Sequence, residues 1–402
     1  MTNEFKGGEV DLLDKLDQAS KFSSKIKQLQ PNAIGANFKT ISPVHGTVNG
    51  KLVILAGSNN YLGLTYNKKC IKAAKKALDK YGTGTTGSRL ANGSYDEHIK
   101  LEQELAAFLN APSAIVFTTG YVANLGSISY LAGSQDIIML DSHCHSSIYE
   151  GAKLSGAQIY NFKHNDPKDL DKKLRRLGSK AKRTLVVVES MYSMLGDFCP
   201  LQEMCDVVEE NGAYILLDDA HSFGITENEG RGLAYILDCE RRVDFITGTF
   251  SKSLGSIGGF LVSLKHDIEP LRAQIKSYMF TASSTPGTVA ATRQALKILQ
   301  KKGELRDRLW FNCTLIHKEL SDMGFTLGAK PSPVIAAIMP DPETASAAWK
   351  VLFDYGVYTN LVIPPGAPKN LSLLRLSISA EHSEDDCRAI IEAYSKLDIA
   401  RR

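Results

Sequence analysis

What the 402-residue chain lacks narrows its class first. No run approaches the ~20 apolar residues needed to cross a bilayer, so at most peripheral membrane contact is expected. The first residues lack the apolar core of a signal peptide, which gives the expectation of a cytoplasmic protein. Cys70, Cys144, Cys199, Cys205, Cys239, Cys313 and Cys387 are an odd number, with no C-x-x-C pair among them. No disulfide framework and no metal-ligand spacing emerges from them, and a reducing compartment suits such a set. Excess charge of one sign is scarce too: the formal net charge is +3, too mild to imply a nucleic-acid partner. The most basic stretch, residues 171–183, has no aromatic interleaving and reads as a solvated helix face, with an anionic partner as the alternative. Neither internal repeats nor low-complexity segments occur.

What is present is a chain with 43% hydrophobic residues, enough to bury a large core and to make two domains. Leu12, Leu16, Ala19 and Ile26 share one face of a helical pattern over residues 9–29. That face fits packing on the body or on a second copy, and also fits a membrane-surface or acyl-chain role. From residue 113 the pattern is βα alternation, with apolar runs at 114–117, 137–140, 184–188, 214–217 and 245–246. A parallel, doubly wound sheet follows from that alternation. Ser94-Tyr95-Asp96-Glu97 reads as a capping box opening a helix with Leu101, Leu105, Phe108 and Leu109 inward. Pro286-Gly287 opens a long helix, and 334–339 and 371–379 read as strands of a smaller, antiparallel sheet. The expected domains are 1–55 (helical arm and short strands), 56–290 (large domain) and 291–402 (small domain).

Chemistry concentrates in Gly248-Thr249-Phe250-Ser251-Lys252-Ser253-Leu254-Gly255. A lysine at the end of an apolar strand, wrapped in hydroxyls and glycines, suits Schiff-base formation with an aldehyde cofactor beside a bound phosphate. Alone, the peptide also fits an exposed turn. About thirty residues upstream, Ala213–Leu217 reads as a buried strand running into Asp218-Asp219-Ala220-His221. A carboxylate at the carboxyl end of such a strand lies where open α/β sheets bind ligands. For pyridoxal 5'-phosphate (PLP), an ionised Asp keeps the pyridine nitrogen protonated so that the ring accepts electrons. The Asp-Asp pair also fits a solvated turn or a helix N-cap. Thr119-Gly120-Tyr121, between a strand and a helix, makes an anion site of backbone N–H groups.

These segments, together with Gly57–Gly63, Gly82–Arg89, His145–Gly151, Tyr192–Asp197 and Phe280–Ser283, resemble the α-oxoamine synthases of PLP fold type I. The soluble bacterial serine palmitoyltransferases are the particular likeness, from about Asn37 to the C-terminus. The resemblance implies a large domain with a mainly parallel seven-stranded sheet, a smaller C-terminal α+β domain, PLP as cofactor, and a homodimer with shared sites. It assigns Lys252 as the Schiff-base lysine and places Gly120, Tyr121, Thr249 and Ser251 at the phosphate. Asp218 goes to the ring nitrogen, His145 to the ring face, and Ser193 near the phenolic oxygen. His221 is placed to bond cofactor or substrate, Thr281 to reach the second copy's phosphate, and Asn60 and Arg375 to meet the amino-acid carboxylate. Arg375, in the apolar run 373–377, also fits a structural salt bridge.

The implied reaction is a decarboxylating condensation of an amino acid, L-serine, with a long-chain acyl-CoA, palmitoyl-CoA. It is the first step of sphingolipid synthesis. Glycine with acetyl-CoA or succinyl-CoA, alanine with pimeloyl-CoA, an aminotransferase and a non-catalytic partner subunit are the alternatives. One departure bears on the amino acid: bacterial serine palmitoyltransferases carry an arginine before Pro-Pro, where this chain has Ile363.

Overall fold

The runs of valine, isoleucine and leucine that the sequence places between helical stretches form the strands of a central sheet. The computed structural model describes residues 13–18, 20, 24, 33, 35–364, 366 and 371–397. Of the amphipathic pattern at 9–29, Leu12, Ala19 and Ile26 lie outside the described residues, and Leu16 is exposed. The chain divides into two compact units, one of residues 59–193 and 197–309, the other of 1–58, 194–196 and 310–402.

In the smaller unit, β1 (Phe38–Thr40), β2 (His45–Val48) and β3 (Lys51–Leu55) form an antiparallel meander. In the larger unit the strands are β4 (Ala114–Phe117), β5 (Ile137–Asp141), β6 (Gln158–Phe162), β7 (Thr184–Glu189), β8 (Tyr214–Asp218), β9 (Phe245–Thr249) and β10 (Gly259–Val262). The smaller unit is completed by β11 (Val334–Met339), β12 (Val357–Tyr358), β13 (Asn360–Val362) and β14 (Ser372–Ser377). β12 joins the meander in parallel with β3, and β11, β14 and β13 form an antiparallel sheet.

The large sheet has seven strands in the order β4-β10-β9-β8-β7-β5-β6. It is parallel except at β10, which runs antiparallel to both neighbours, so the sheet is mainly parallel, as expected. Its principal helices are α1 (Lys68–Tyr81), α2 (Asp96–Leu109), α3 (Gly120–Leu131), α4 (Ser146–Ser155), α5 (Pro167–Leu177), α6 (Leu201–Asn211) and α7 (Pro286–Lys301). In α8 (Gly303–Asp322) the division between units falls, and α9 (Pro342–Asp354) and α10 (Glu384–Ser395) belong to the smaller unit.

β4, β5 and β7 are buried along their whole length, as a sheet covered on both faces requires. Ile138 and Leu140, Leu185 and Val187, and Leu216 pack beneath Ile128 of α3, Ala132 that caps its C-terminus, and Ile148 and Ala152 of α4. Each such side chain stabilises the fold by roughly 1.5–3 kcal/mol relative to exposure. Gly151 brings α4 close to α3, because a Cβ there would stand 3.0 Å from the Asn124 carbonyl oxygen and 3.1 Å from Ile128.

The basic stretch is α5 and the turn after it; Lys173 pairs with Asp169 and Arg175 with Asp171 within α5. The start of α2 differs by one residue from the capping-box reading. Tyr95 is the N-cap and the His98 ring accepts its N–H at 3.2 Å, while the Ser94 hydroxyl bonds Arg89 instead. Leu101, Leu105, Phe108 and Leu109 are buried as the pattern predicts.

Candidate active site

The carboxyl ends of β4, β5, β7, β8 and β9 open on a cavity of about 310 Å³. Open α/β sheets bind ligands at this edge, where neighbouring strands send their helices to different places. The lining comprises Thr119–Tyr121, Asn124, His145, Ser147, Glu189, Asp218, Ala220, His221, Thr249, Ser251, Lys252, Ile257 and Gly258.

Three segments make one wall because glycines let them touch. α3 starts at Gly120 with Thr119 as N-cap, its hydroxyl accepting the Val122 N–H at 3.1 Å. The N–H groups of Gly120 and Tyr121 precede any acceptor within the helix, and the positive end of the helix dipole adds to them. A Cβ at Gly120 would come within 2.8 Å of Thr249 Cβ, and one at Gly259 within 2.6 Å of Gly120 Cα. The Thr249 and Ser251 hydroxyls stand 2.9 Å apart beside this helix start. Backbone N–H groups, paired hydroxyls and a nearby lysine form a cradle for a phosphate, so the residues present fit the phosphate of PLP.

On the opposite side β8 delivers Asp218 to its carboxyl end. Asp218 accepts the Ala220 N–H at 2.9 Å on Oδ1 and the Asn124 amide at 2.6 Å on Oδ2. His145 is the N-cap of α4, its backbone N–H donated to Glu189 Oε1. Its face opens to the cavity, yet the enclosing walls strip water from the ring and hold its pKa below the ordinary value. Lys252 adds to that shift and Asp218 opposes it. Glu189, buried and beside Asp218, is pushed well above the usual carboxylate range, first by loss of water and then by that second negative charge, with Lys252 opposing. His221 Nδ1 lies 2.8 Å from the Tyr61 hydroxyl, which fixes the ring.

Of the residues singled out from the sequence, Lys252, Asp218, His145, His221, Gly120, Tyr121, Thr249 and Ser251 line this one cavity. Asn60, Ser193 and Thr281 belong to the same unit but do not line it. Asn60 is buried and donates to the Thr65 hydroxyl at 2.8 Å. Ser193 lies in the turn between Met191 and Phe198, and Thr281 beside a separate small pocket with Arg89 and His98. Arg375 sits on β14 of the other unit, buried, donating to the Ser377 hydroxyl at 2.8 Å. Sequence reasoning gave no role to Asn124, Ser147 or Glu189. Glu189 carried the same signal as Asp218, a carboxylate ending a buried strand. Asn124 and Ser147 carried none, since their meaning comes from two helices meeting.

Comparison with known proteins agrees with this architecture. The family model for class I and II aminotransferases matches residues 51–393. A serine palmitoyltransferase of Caulobacter vibrioides is 48% identical over 376 residues, covering 93% of each chain. A serine palmitoyltransferase from S. paucimobilis, solved with PLP and myriocin bound, superposes with a TM-score of 0.93 at 40% identity, covering 96% of this chain and 98% of that one. A Sphingomonas wittichii serine palmitoyltransferase gives a TM-score of 0.93 at 42% identity over the same shares. The chain belongs to the class I and II aminotransferase family, and within that family it is similar to the bacterial serine palmitoyltransferases.

Proposed function

We propose that this chain is a PLP-dependent acyltransferase that condenses L-serine with a long-chain acyl-CoA, palmitoyl-CoA, releasing CoA and CO2 and forming a 3-keto long-chain base. The observation that carries the reading is the meeting of Lys252, Asp218, His145 and His221 in one cavity beside a phosphate cradle. The names of the similar proteins support the substrates. PLP, when bound, supplies the electron sink for carbanion chemistry at the amino-acid Cα.

The chain's residues do the rest. Lys252 would hold the cofactor covalently, and its amine would take the proton from the amino-acid Cα. Gly120, Tyr121, Thr249 and Ser251 hold the phosphate. Asp218 would keep a proton on the pyridine nitrogen, and His145 would support the ring. His221, its Nδ1 2.8 Å from the Tyr61 hydroxyl, is assigned to the substrate carboxylate or the thioester oxygen. Asn60 and Arg375 are assigned to the amino-acid carboxylate, Ser193 to the cofactor's phenolic oxygen and Thr281 to the phosphate of a second copy.

The working unit is proposed to be a homodimer. The Phe280 side chain is 78% exposed and Leu90 47%, and the Ser88–Ala282 bridge holds their two loops together. A cytoplasmic location fits the seven cysteines, all buried and unpaired. Among the described residues no helix is long and apolar enough to cross a membrane.

The test is a panel of amino acids crossed with acyl-CoA chain lengths, scored by CoA release. Serine with C16 acyl-CoA should lead the panel, and Lys252→Ala should abolish release while retaining some noncovalent cofactor. A keto-acid-dependent half-reaction without CoA release would overturn the reading. A preference for glycine or alanine would replace serine, the choice that Ile363 bears on, and leave the reaction class standing.

A further inference from the structure

Asn124 and Ser147 form a chain of hydrogen bonds that runs from Asp218 to His145. Asn124 Nδ2 lies 2.6 Å from Asp218 Oδ2 and 3.0 Å from Ser147 Oγ, and its Oδ1 lies 2.7 Å from Thr247 Oγ1. Ser147 Oγ lies 2.8 Å from His145 Nδ1, and the Ser147 backbone N–H donates to the same nitrogen at 3.3 Å. Asn124 and Ser147 are buried, at 4% and 0% exposure, so their side chains depend on these hydrogen bonds.

The proton positions follow from donor and acceptor chemistry. A carboxylate only accepts, so the Asn124 NH2 must face Asp218 and its carbonyl must face Thr247, which donates. The same NH2 then donates to Ser147 Oγ. With its oxygen accepting there, the Ser147 hydroxyl proton is available for His145 Nδ1. A backbone N–H only donates, so Nδ1 must present its lone pair to Ser147 as well. Two donors converging on Nδ1 leave no place for a proton on it.

We infer that Asn124 and Ser147 are positioning residues that couple Asp218 to His145 and hold His145 neutral, with its proton on Nε2. The groups facing His145 are Asp218 at the end of β8, Glu189 at the end of β7, Lys252 after β9 and Tyr121 at the start of α3, whose ring centroid is 6.3 Å away. An imidazolium here would place a cation beside Lys252 and compete with the pyridine nitrogen for Asp218. The neutral tautomer leaves Asp218 to the cofactor ring. This consequence rests on the proposed function, whereas the tautomer is read from the hydrogen bonds.

The test is ¹⁵N NMR of the holoenzyme labelled at histidine, with the His145 signals assigned by their loss in His145→Gln. Wild type should show Nδ1 without a proton and Nε2 with one through neutral pH. Ser147→Ala removes one donor to Nδ1 and should raise the His145 titration midpoint by about one pH unit, the effect of one lost hydrogen bond. Ser147→Thr, which keeps the hydroxyl, should restore it. A proton on Nδ1 in wild type overturns the inference, as does a midpoint unchanged in Ser147→Ala. The wild-type spectrum decides the tautomer even if a variant folds poorly. It does so independently of the CoA-release panel, so failure of one reading is distinguishable from failure of the other.

Discussion

Two adjacent aspartates at the end of β8 have opposite fates. Asp218 faces the cavity, held by Asn124 and the Ala220 N–H. Asp219 turns into the protein, where the Ser222 hydroxyl and the Leu233 N–H hold its Oδ1. Gly232 approaches so closely that a Cβ there would overlap Asp219 Oδ2. Burial pushes the Asp219 carboxyl up to about 7, against its hydrogen bonds. The two substitutions to asparagine should therefore separate chemistry from stability. Asp218→Asn should lower CoA release at least about 100-fold, since on the proposed reading the pyridine nitrogen loses its ionic partner, and should leave the Tm near wild type. Asp219→Asn should lower the Tm by several degrees, because an amide group in a carboxylate's pocket leaves one buried donor unmatched. Reversal of the two phenotypes would move the ring-nitrogen role to Asp219. The sequence alone showed that an acid ends this strand, but not which one faces outward. That choice depends on Gly232, thirteen residues beyond Asp219.

Strands announced themselves where they are buried on both faces and stayed silent where they are not. β4, β5, β7 and β8 are near-continuous apolar runs. β6, at the sheet edge, is largely exposed along Gln158-Ile159-Tyr160-Asn161, so no apolar run marks it. β10 is only four residues long and begins at the second of two consecutive glycines, Gly258 and Gly259, a pair that reads as a turn. The start of α2 was misread by one residue because a histidine, His98, performs the task expected of Glu97. Another histidine joins two elements with no mark in the sequence. His164, just after β6, donates from both ring nitrogens, to Asp141 of β5 at 2.8 Å and to Asp197 at 2.7 Å, and its ring stacks on His143. Only an imidazolium donates from both nitrogens. The two carboxylates outweigh the loss of water and raise the His164 pKa to about 9. A raised folded-state pKa gives stability that is complete below the unfolded value and is lost as pH rises through the folded one. The window is therefore from about 6.5 to about 9, and the contribution is on the order of 3 kcal/mol. The lowered Asp141 pKa describes the same bond and is not added to it. Thermal melts between pH 6 and pH 10 should show wild type losing several degrees across that window. His164→Gln should start lower at pH 6 and stay flat, and parallel curves for the two proteins would contradict the clamp.

For the molecule as a whole, the cavity uses residues spread from Thr119 to Gly258, yet Thr281 stays outside it. Thr281 lies next to Phe280, whose ring is mostly in water in the single chain. The Ser283 N–H bonds the Gly87 carbonyl at 3.0 Å, so the 280–285 turn is fastened to the loop that carries Leu90. A fixed turn holding an aromatic ring outward is costly unless something covers it; burying a phenylalanine is worth roughly 1.5–3 kcal/mol. A second copy would cover this patch on both chains at once, because a two-fold interface uses the same surface twice. Phe280→Glu places a charge at that surface on each chain. Desolvating two like charges across an interface costs several kcal/mol, so the dimer should weaken by at least about 100-fold. Sedimentation at low micromolar concentration should then show monomer where wild type shows dimer. CoA release should fall with it, because on the proposed reading the monomer lacks the second copy's Thr281 at its phosphate. Cofactor affinity should drop less than turnover, since the cradle of Gly120, Tyr121, Thr249 and Ser251 belongs to one chain. A Phe280→Glu protein that sediments as a dimer would remove this patch from the interface. A monomeric one with full activity would remove the shared site.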